Sequence, residues 1–206
     1  MTARDTARAD AVYAALLQRQ GEQWVQPRIE RTRRVLEYLD DPQRTYRVVH
    51  VTGTNGKTST SRIAESLLRS LGLRTGLFTS PHLERFTERI MIDGEPIADA
   101  HVADAWEEIA PFVDLVDAEL QAAGDARLTF FELLTVLAFV AFADAPVDVA
   151  VIEVGMGGSW DSTNTADGDV AVIAPVGLDH ADRLGSTVEA IAEVKAGIIK
   201  PGVPVF

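Results

Sequence analysis

Apolar positions recur at helical spacing over residues 5–20, where Ala11, Val12, Ala15 and Leu16 fall on one face. A second helix is predicted over residues 28–39, with Ile29, Val35, Leu36 and Leu39 as its apolar positions. The Asp41-Pro42 pair stops it, and Gly21 and Pro27 bracket a loop between the two that holds Trp24. The pattern then changes. Residues 46–51 read as a strand, residues 52–59 as a loop, and Ile63, Ala64, Leu67, Leu68 and Leu71 as the apolar face of a helix that Gly72 closes. Residues 74–79 form the next strand, ended by Ser80-Pro81-His82, and residues 89–97 a hairpin turning at Asp93-Gly94.

Residues 99–122 are helical. Thr129 can cap a further helix because Glu132 lies three residues on. Residues 147–154 are apolar except for Asp148 and Glu153, which suits a parallel strand buried on both faces. Residues 169–174 form another. Ser186 and Glu189 make a capping box for a helix through Ile199, and residues 203–206 look like the start of one more strand. Strands that alternate with helices predict an α/β fold with a mostly parallel sheet flanked by helices. No internal repeat, low-complexity tract or clear linker divides the chain.

Composition narrows the chemistry. The chain has 206 residues and a formal net charge of −12, which argues against non-specific binding to nucleic acid or to an anionic membrane. Hydrophobic residues make up 47%, enough for a sizeable core. Zero cysteines remove a disulfide framework, a thiol nucleophile and a Cys zinc site, and fit a reducing compartment. The longest apolar run, residues 133–143, is broken by Thr135 and is too short to span a membrane. The N-terminus has no apolar signal-peptide core, so a cytoplasmic protein is expected.

Gly53-Thr54-Asn55-Gly56-Lys57-Thr58-Ser59 sits between a strand and a helix, the context in which a phosphate-loop match carries meaning. The two glycines let the backbone approach phosphate oxygens, and N–H groups at the helix start converge on the anion. Lys57 would reach the β- and γ-phosphates of ATP, and Thr58 or Ser59 would offer a hydroxyl to Mg²⁺. Val51 stands where the strict pattern has glycine. The plain alternative is a glycine turn that caps a helix.

The run Val51–Thr58 resembles the phosphate loop of the Mur ligase superfamily, which uses this shorter spacing. Phe78-Thr-Ser-Pro-His-Leu83, Glu88-Arg-Ile90, Thr129-Phe-Phe-Glu132, Glu153-Val-Gly-Met-Gly-Gly158, Asp161-Ser-Thr-Asn164, Leu178-Asp-His180 and Lys195-Ala-Gly-Ile198 follow in order. That set resembles the folylpolyglutamate synthase and dihydrofolate synthase family over about residues 25–206. The resemblance implies a partial P-loop ATPase domain over residues 43–206 and an N-terminal helical segment over residues 1–42. It also implies that the sheet is incomplete at the C-terminus, that a C-terminal ligase domain is absent, and that these 206 residues alone are inactive. The activity implied is ATP-dependent addition of L-glutamate to folate or dihydropteroate, by an enzyme that is monomeric at full length.

Glu153 ends a buried run, where α/β sheets bind ligands, and is placed to meet a cation held by phosphates. The alternative is a buried carboxylate paired with a structural arginine. The resemblance makes Glu153, with Ser80 and Thr58, a Mg²⁺ ligand. It makes His180 the ligand of a second Mg²⁺, although a lone histidine is more often structural. Lys195 shares a helix face with Val188, Ile191 and Ile198, and so either snorkels or is desolvated into a neutral, CO₂-reactive amine. The resemblance favours a carbamylated, catalytically required lysine there. It also places Thr129, Phe131 and Asp161 at the pterin or pteroate. An aromatic face for stacking and a carboxylate for ring N–H groups suit that ligand. As plain alternatives, Phe131 is a core residue and Asp161 a helix cap or Asx turn. Ser159 departs from many members, which carry a basic residue, and His50, His82 and His101 carry no independent signal. Two rivals remain: a ligase acting on a UDP-muramoyl substrate, and a non-catalytic fragment that binds nucleotide or substrate.

Overall fold

The computed structural model describes residues 2–21 and 28–206. Four parallel strands, β2-β5-β1-β6, make up most of a six-stranded sheet ordered β4-β3-β2-β5-β1-β6, in which β3 and β4 are antiparallel additions beyond β2. The strands are β1 (Arg47–Thr52), β2 (Thr75–Phe78), β3 (Ile90–Ile92), β4 (Glu95–Pro96), β5 (Val149–Glu153) and β6 (Val170–Ile173). Every residue of β5 is buried, as its apolar run predicts for a strand with parallel neighbours on both sides and helices on both faces. The β3–β4 turn has positive φ at both Asp93 and Gly94, the mirror-image geometry that Asp-Gly favours. Val205 makes a single parallel bridge to Ala171, so the expected strand start at residues 203–206 lies alongside β6.

One face of the sheet packs under α5 (Phe130–Asp144), which is apolar all round and nearly wholly buried. Helices α1 (Ala3–Leu17), α2 (Glu30–Tyr38) and α4 (Asp99–Ala122) cover α5 from outside and share one core with it. The capping box expected at Thr129 and Glu132 opens α5. Gly76 of β2 lies beneath the Phe142 ring, where a Cβ would come within 2.7 Å of the ring carbon Cδ1. The opposite face carries α3 (Lys57–Ser70), whose Ala64 and Leu68 pack on Val51, Leu77 and Val151. The short α6 (Ala181–Leu184) and α7 (Val188–Ala196) close the chain.

The structure departs from the pattern in four places. Helix α1 starts at a Thr2–Asp5 capping box and buries Ala9, Val12 and Leu16, whereas Ala11 is exposed. Helix α2 spans only nine residues and buries Arg31 and Thr32 beside Val35 and Leu36. Helix α3 does not bury all five expected apolar positions: Ile63, Leu67 and Leu71 face solvent, while Ser61 and Glu65 are buried. Its rotation follows from polar anchors, since Thr58 bonds Glu153 in the first turn and Glu65 accepts from the Thr75 hydroxyl at 2.6 Å. Helix α7 is capped by Thr187, which accepts from Ala190 N at 3.2 Å, one residue beyond the Ser186 cap that the sequence suggests. The loop reading around Trp24 lies outside the described residues.

Candidate active site

A cavity of about 590 Å³ opens at the carboxyl ends of the parallel strands. The loops after β1, β2, β5 and β6 meet there with the N-terminus of α5. Connections at this end of a parallel sheet are where α/β folds place ligands.

Thr54 to Ser59 line one wall. Val51, the position at which the sequence lacks the strict glycine, is a β1 residue paired with Glu153 and Val172, so the turn begins two residues later. Gly53 has φ +151°, and a Cβ there would stand 2.7 Å from Ala174 Cβ and 2.9 Å from its carbonyl oxygen. Thr54 N–H and Asn55 N–H both donate to Pro175 O, at 2.9 and 3.2 Å, which ties the loop to the end of β6. Gly56 takes the left-handed conformation, and no side chain caps α3. The first-turn N–H groups of α3 are thereby left for an anion. Lys57 Nζ donates to Thr54 O at 3.3 Å, folded back over its own loop.

Glu153 is 2% exposed at the end of β5. Its Oε1 accepts from Thr58 Oγ1 at 2.9 Å and its Oε2 from Ser80 N at 3.4 Å. Burial raises its pKa, partly offset by the Thr58 hydrogen bond and the Lys57 charge. Thr58 and Glu153 thus bring a hydroxyl and a carboxylate together at the cavity, with Ser80 beside them on its wall, and hydroxyl and carboxylate oxygens are the chemistry that suits Mg²⁺. Among the described residues no group of three or more His, Cys, Asp and Glu side chains could cage a metal. Mg²⁺ is normally held by one or two carboxylates plus phosphate oxygens and water, so these residues fit the ion when a nucleotide shares it.

His180 also lines the cavity, in a left-handed conformation ahead of α6, with Nε2 3.6 Å from Asp179. It is half-exposed and makes no hydrogen bond to Glu153, Thr58 or Ser80. Lys195 is not on the cavity wall. It is 4% exposed behind the phosphate loop, and its Nζ donates to Gly53 O at 2.7 Å. Burial, with the charge of Lys57 added, lowers its pKa to about 8.

The far wall comes from the N-terminus of α5 and the loop after β5. Thr129, Phe131 and Glu132 face Met156, Trp160, Asp161 and Ser162. Phe131 packs over Gly155, where a Cβ would meet its ring at 2.5 Å. Asp161 is 5% exposed, and burial raises its pKa. Its Oδ1 accepts from Thr163 N at 2.9 Å and from Thr163 Oγ1 at 2.6 Å, and its Oδ2 from Met156 N at 2.9 Å. Asp161 therefore caps the short 3₁₀ turn Ser162–Thr165 and also borders the cavity, so the structural and functional readings coexist. Ser159 is exposed, bonds Val194 O through its N–H at 3.0 Å, and packs against Gly197.

Sequence reasoning missed Met156, Trp160 and Ser162 on this wall, and His50 and Thr52 beneath it. Trp160 sits one residue before Asp161 in a loop already singled out, a signal that could have found it. Thr52 Oγ1 donates to Gly157 O at 2.8 Å, and His50 Nε2 lies 2.9 Å from Thr163 Oγ1. Polar side chains at alternate positions of an otherwise apolar strand mark such anchors.

A strand, a glycine loop and an uncapped helix N-terminus at the carboxyl end of a parallel sheet define a P-loop nucleotide-binding domain. The chain belongs to the Mur ligase family: the model of the Mur ligase middle domain matches residues 51–203. It is 49% identical over 185 residues to the dihydrofolate synthase/folylpolyglutamate synthase of Mycobacterium tuberculosis, covering 88% of this chain and 38% of that protein. To the folylpolyglutamate synthase of Lacticaseibacillus casei it is 46% identical over 185 residues, covering 87% and 42%. The solved folylpolyglutamate synthase of M. tuberculosis complexed with ADP matches at a TM-score of 0.88 and 46% identity, over 96% of this chain and 44% of that one. A folylpolyglutamate synthase in complex with AMPPCP and folate matches at a TM-score of 0.88 and 42% identity, over 96% and 47%. The chain spans about two-fifths of the length of these curated relatives.

Proposed function

We propose that this chain carries the ATP site and the pterin-facing wall of an ATP-dependent ligase that adds L-glutamate to folate or dihydropteroate. The observation that carries the reading is one cavity that holds both the phosphate loop with Glu153 and the Phe131–Asp161 wall. The relatives' names favour a folate substrate over a UDP-muramoyl one.

In this reading an oxygen of the substrate carboxylate attacks the γ-phosphorus. The bond from phosphorus to the β,γ-bridging oxygen breaks, and ADP leaves with the electron pair. The glutamate amine then attacks the acyl carbon and gives up a proton as phosphate departs. Lys57 and the first-turn N–H groups of α3 hold the transferred phosphoryl and neutralise its charge. Thr58, Ser80 and Glu153 would hold a Mg²⁺ that supplies further charge neutralisation when bound, and His180 would hold a second such ion. Phe131 stacks on the pterin while Asp161 accepts from its N–H groups. Residues 43–206 serve as the ATPase portion and residues 1–42 as a helical segment, in a cytoplasmic, monomeric enzyme. No helix among the described residues is long and apolar enough to cross a membrane.

The test is ADP release by the enzyme that carries this chain. It is expected to require both a folate or dihydropteroate and L-glutamate, and to ignore UDP-muramoyl peptides. ADP release that ignores the folate would remove the reading.

A second expectation concerns Lys195. Only a neutral amine attacks CO₂, forming an N–C bond and losing a proton to give a carbamate. With a pKa of about 8, the neutral fraction of Lys195 rises as pH climbs through about 8 and falls about tenfold per unit below it. In ¹³C-bicarbonate, a carbamate resonance is expected to grow from pH ~7 to ~9 and to vanish in Lys195→Ala. The same resonance in Lys195→Ala, or none in the parent, would exclude the modification.

A further inference from the structure

The loop between β5 and β6 supplies Gly155, Met156, Trp160, Asp161 and Ser162 to the cavity, yet it is ten or more residues long and carries only one 3₁₀ turn. Something must hold it. Part of the hold comes from behind, where Lys200 Nζ bonds Asn164 O and Oδ1 at 3.1 and 2.9 Å, and Asn164 Nδ2 bonds Ser159 O and Gly197 O. The rest comes from β1. On the strand face turned toward the loop, Thr52 takes Gly157 O and His50 takes Thr163.

The direction of the His50 contact follows from proton counting. Thr163 has one hydroxyl proton, and the 2.6 Å contact to Asp161 Oδ1 uses it, because a carboxylate oxygen can only accept. The contact from His50 Nε2 to Thr163 Oγ1, at 2.9 Å, must then run from an Nε2–H donor. That tautomer leaves Nδ1 as a bare lone pair, and Nδ1 is the ring atom with no partner among the described residues. The opposite tautomer would bury an unpaired N–H and set two acceptors against each other, which costs more. His50 is fully buried; burial first, and the nearby Lys200 ammonium second, hold its pKa down to about 3. The ring stays neutral at physiological pH, as a fixed donor must.

We infer that His50 is a positioning residue for the substrate pocket: its Nε2–H orients the Thr163 hydroxyl, which fixes the Asp161 carboxylate against the cavity. This inference rests on the reading of Asp161 as a pterin ligand. The relay occupies Oδ1 of Asp161, Met156 N takes one side of Oδ2, and the Gly155 N–H adds a further backbone hydrogen bond, so the loop and the relay together set the carboxylate that borders the cavity. Without the His50 donor, Thr163 Oγ1 can turn, and Asp161 loses one of the bonds that set its rotamer.

The experiment has two arms. In the first, the enzyme carrying this chain is labelled with ¹⁵N-histidine and its ring nitrogens are read by NMR without ligand. His50 is expected as the Nε2–H tautomer, unchanged from pH ~5 to ~8, and Thr163→Val is expected to shift its Nε2 signal. An Nδ1–H tautomer, or a ring that titrates in that range, overturns the inference. In the second arm, folate and AMPPCP affinities are measured for His50→Phe, His50→Gln and Thr163→Val. His50→Phe and Thr163→Val are expected to weaken folate binding by about tenfold and leave AMPPCP within about twofold. His50→Gln, whose amide N–H can reach the Nε2 position, is expected to keep most of the folate affinity. Thr163→Val guards against a His50→Phe that does not fold. Unchanged folate affinity in both, while Asp161→Asn weakens it, overturns the relay. An Asp161→Asn protein that binds folate normally removes the pterin reading instead, and the NMR arm still decides the relay.

Discussion

Lys57→Ala is expected to lower ATP-dependent glutamate addition by about a thousandfold or more while the fold survives. Lys57 opens α3 with its side chain on the cavity wall, and its single hydrogen bond, to Thr54 O at 3.3 Å, is long. The side chain is therefore free to turn toward a phosphate. The core on that face of the sheet is made by Val51, Leu77, Val151, Ala64 and Leu68, none of which needs Lys57. Truncation should thus leave the melting temperature within about 2 °C of the parent, since it creates no cavity and buries no unpaired group. The loss should be larger in kcat than in the affinity for AMPPCP, because the charge that Lys57 offsets grows as the phosphoryl transfers. Folate affinity should hold, since Phe131 and Asp161 sit on the opposite wall. Near-parent turnover in Lys57→Ala would end the phosphate-loop assignment.

Several elements of this arrangement were legible in the residues themselves. The strand-loop-helix around Gly53–Thr58 announces itself, because two glycines, a lysine and a hydroxyl at fixed spacing have few other uses between a strand and a helix. Helix α5 is equally plain: a Thr-Glu capping box opens fifteen residues whose only charged members are Glu132 of that box and the terminal Asp144. The largest departure, the rotation of α3, has one cause, which is that polar anchors outvoted apolar periodicity. Ile63, Leu67 and Leu71 mark a face of α3 by spacing, yet Glu65 bonded to Thr75 and Thr58 bonded to Glu153 set its rotation. A hydrophobic pattern cannot foresee a partner ninety-five residues away. His50 was passed over for the same reason, since its meaning depends on Thr163, which only the packing of the loop after β5 brings to it. Lys195 was legible as a lysine on an apolar face, but not its place behind Gly53 O, because that depends on how α7 returns beneath the phosphate loop.

That return of α7 gives the second large expected effect. Gly158 in the loop after β5 and Gly197 at the end of α7 cross with almost no space between their backbones. A Cβ on Gly158 would lie 2.6 Å from Lys195 O, 2.7 Å from Val194 O and 2.9 Å from Lys195 Cα. All three are backbone atoms, so no side chain can rotate away. A Cβ on Gly197 would meet Ser159 Cβ at 2.3 Å from the other side. To admit Gly158→Ala, α7 must move off the loop. That motion strains Ser159 N–H to Val194 O and Asn164 Nδ2 to Gly197 O, at 3.0 and 3.1 Å, and draws Lys195 away from Gly53 O. The expected loss is about 3 kcal/mol, at the upper end for overpacking. For a chain of this size that is a fall in melting temperature of roughly 6–12 °C. Gly177→Ala is the control: nothing lies within 4 Å of its Cβ position and its φ is not in the left-handed region, so its effect should stay within about 0.5 kcal/mol. Because the same crossing seats Lys195 behind the phosphate loop, Gly158→Ala should also weaken AMPPCP binding at temperatures where the protein is still folded, and Gly177→Ala should not. A Gly158→Ala protein that melts with its parent would mean that the loop after β5 can shift without carrying α7, and that Lys195 is held by something other than this contact.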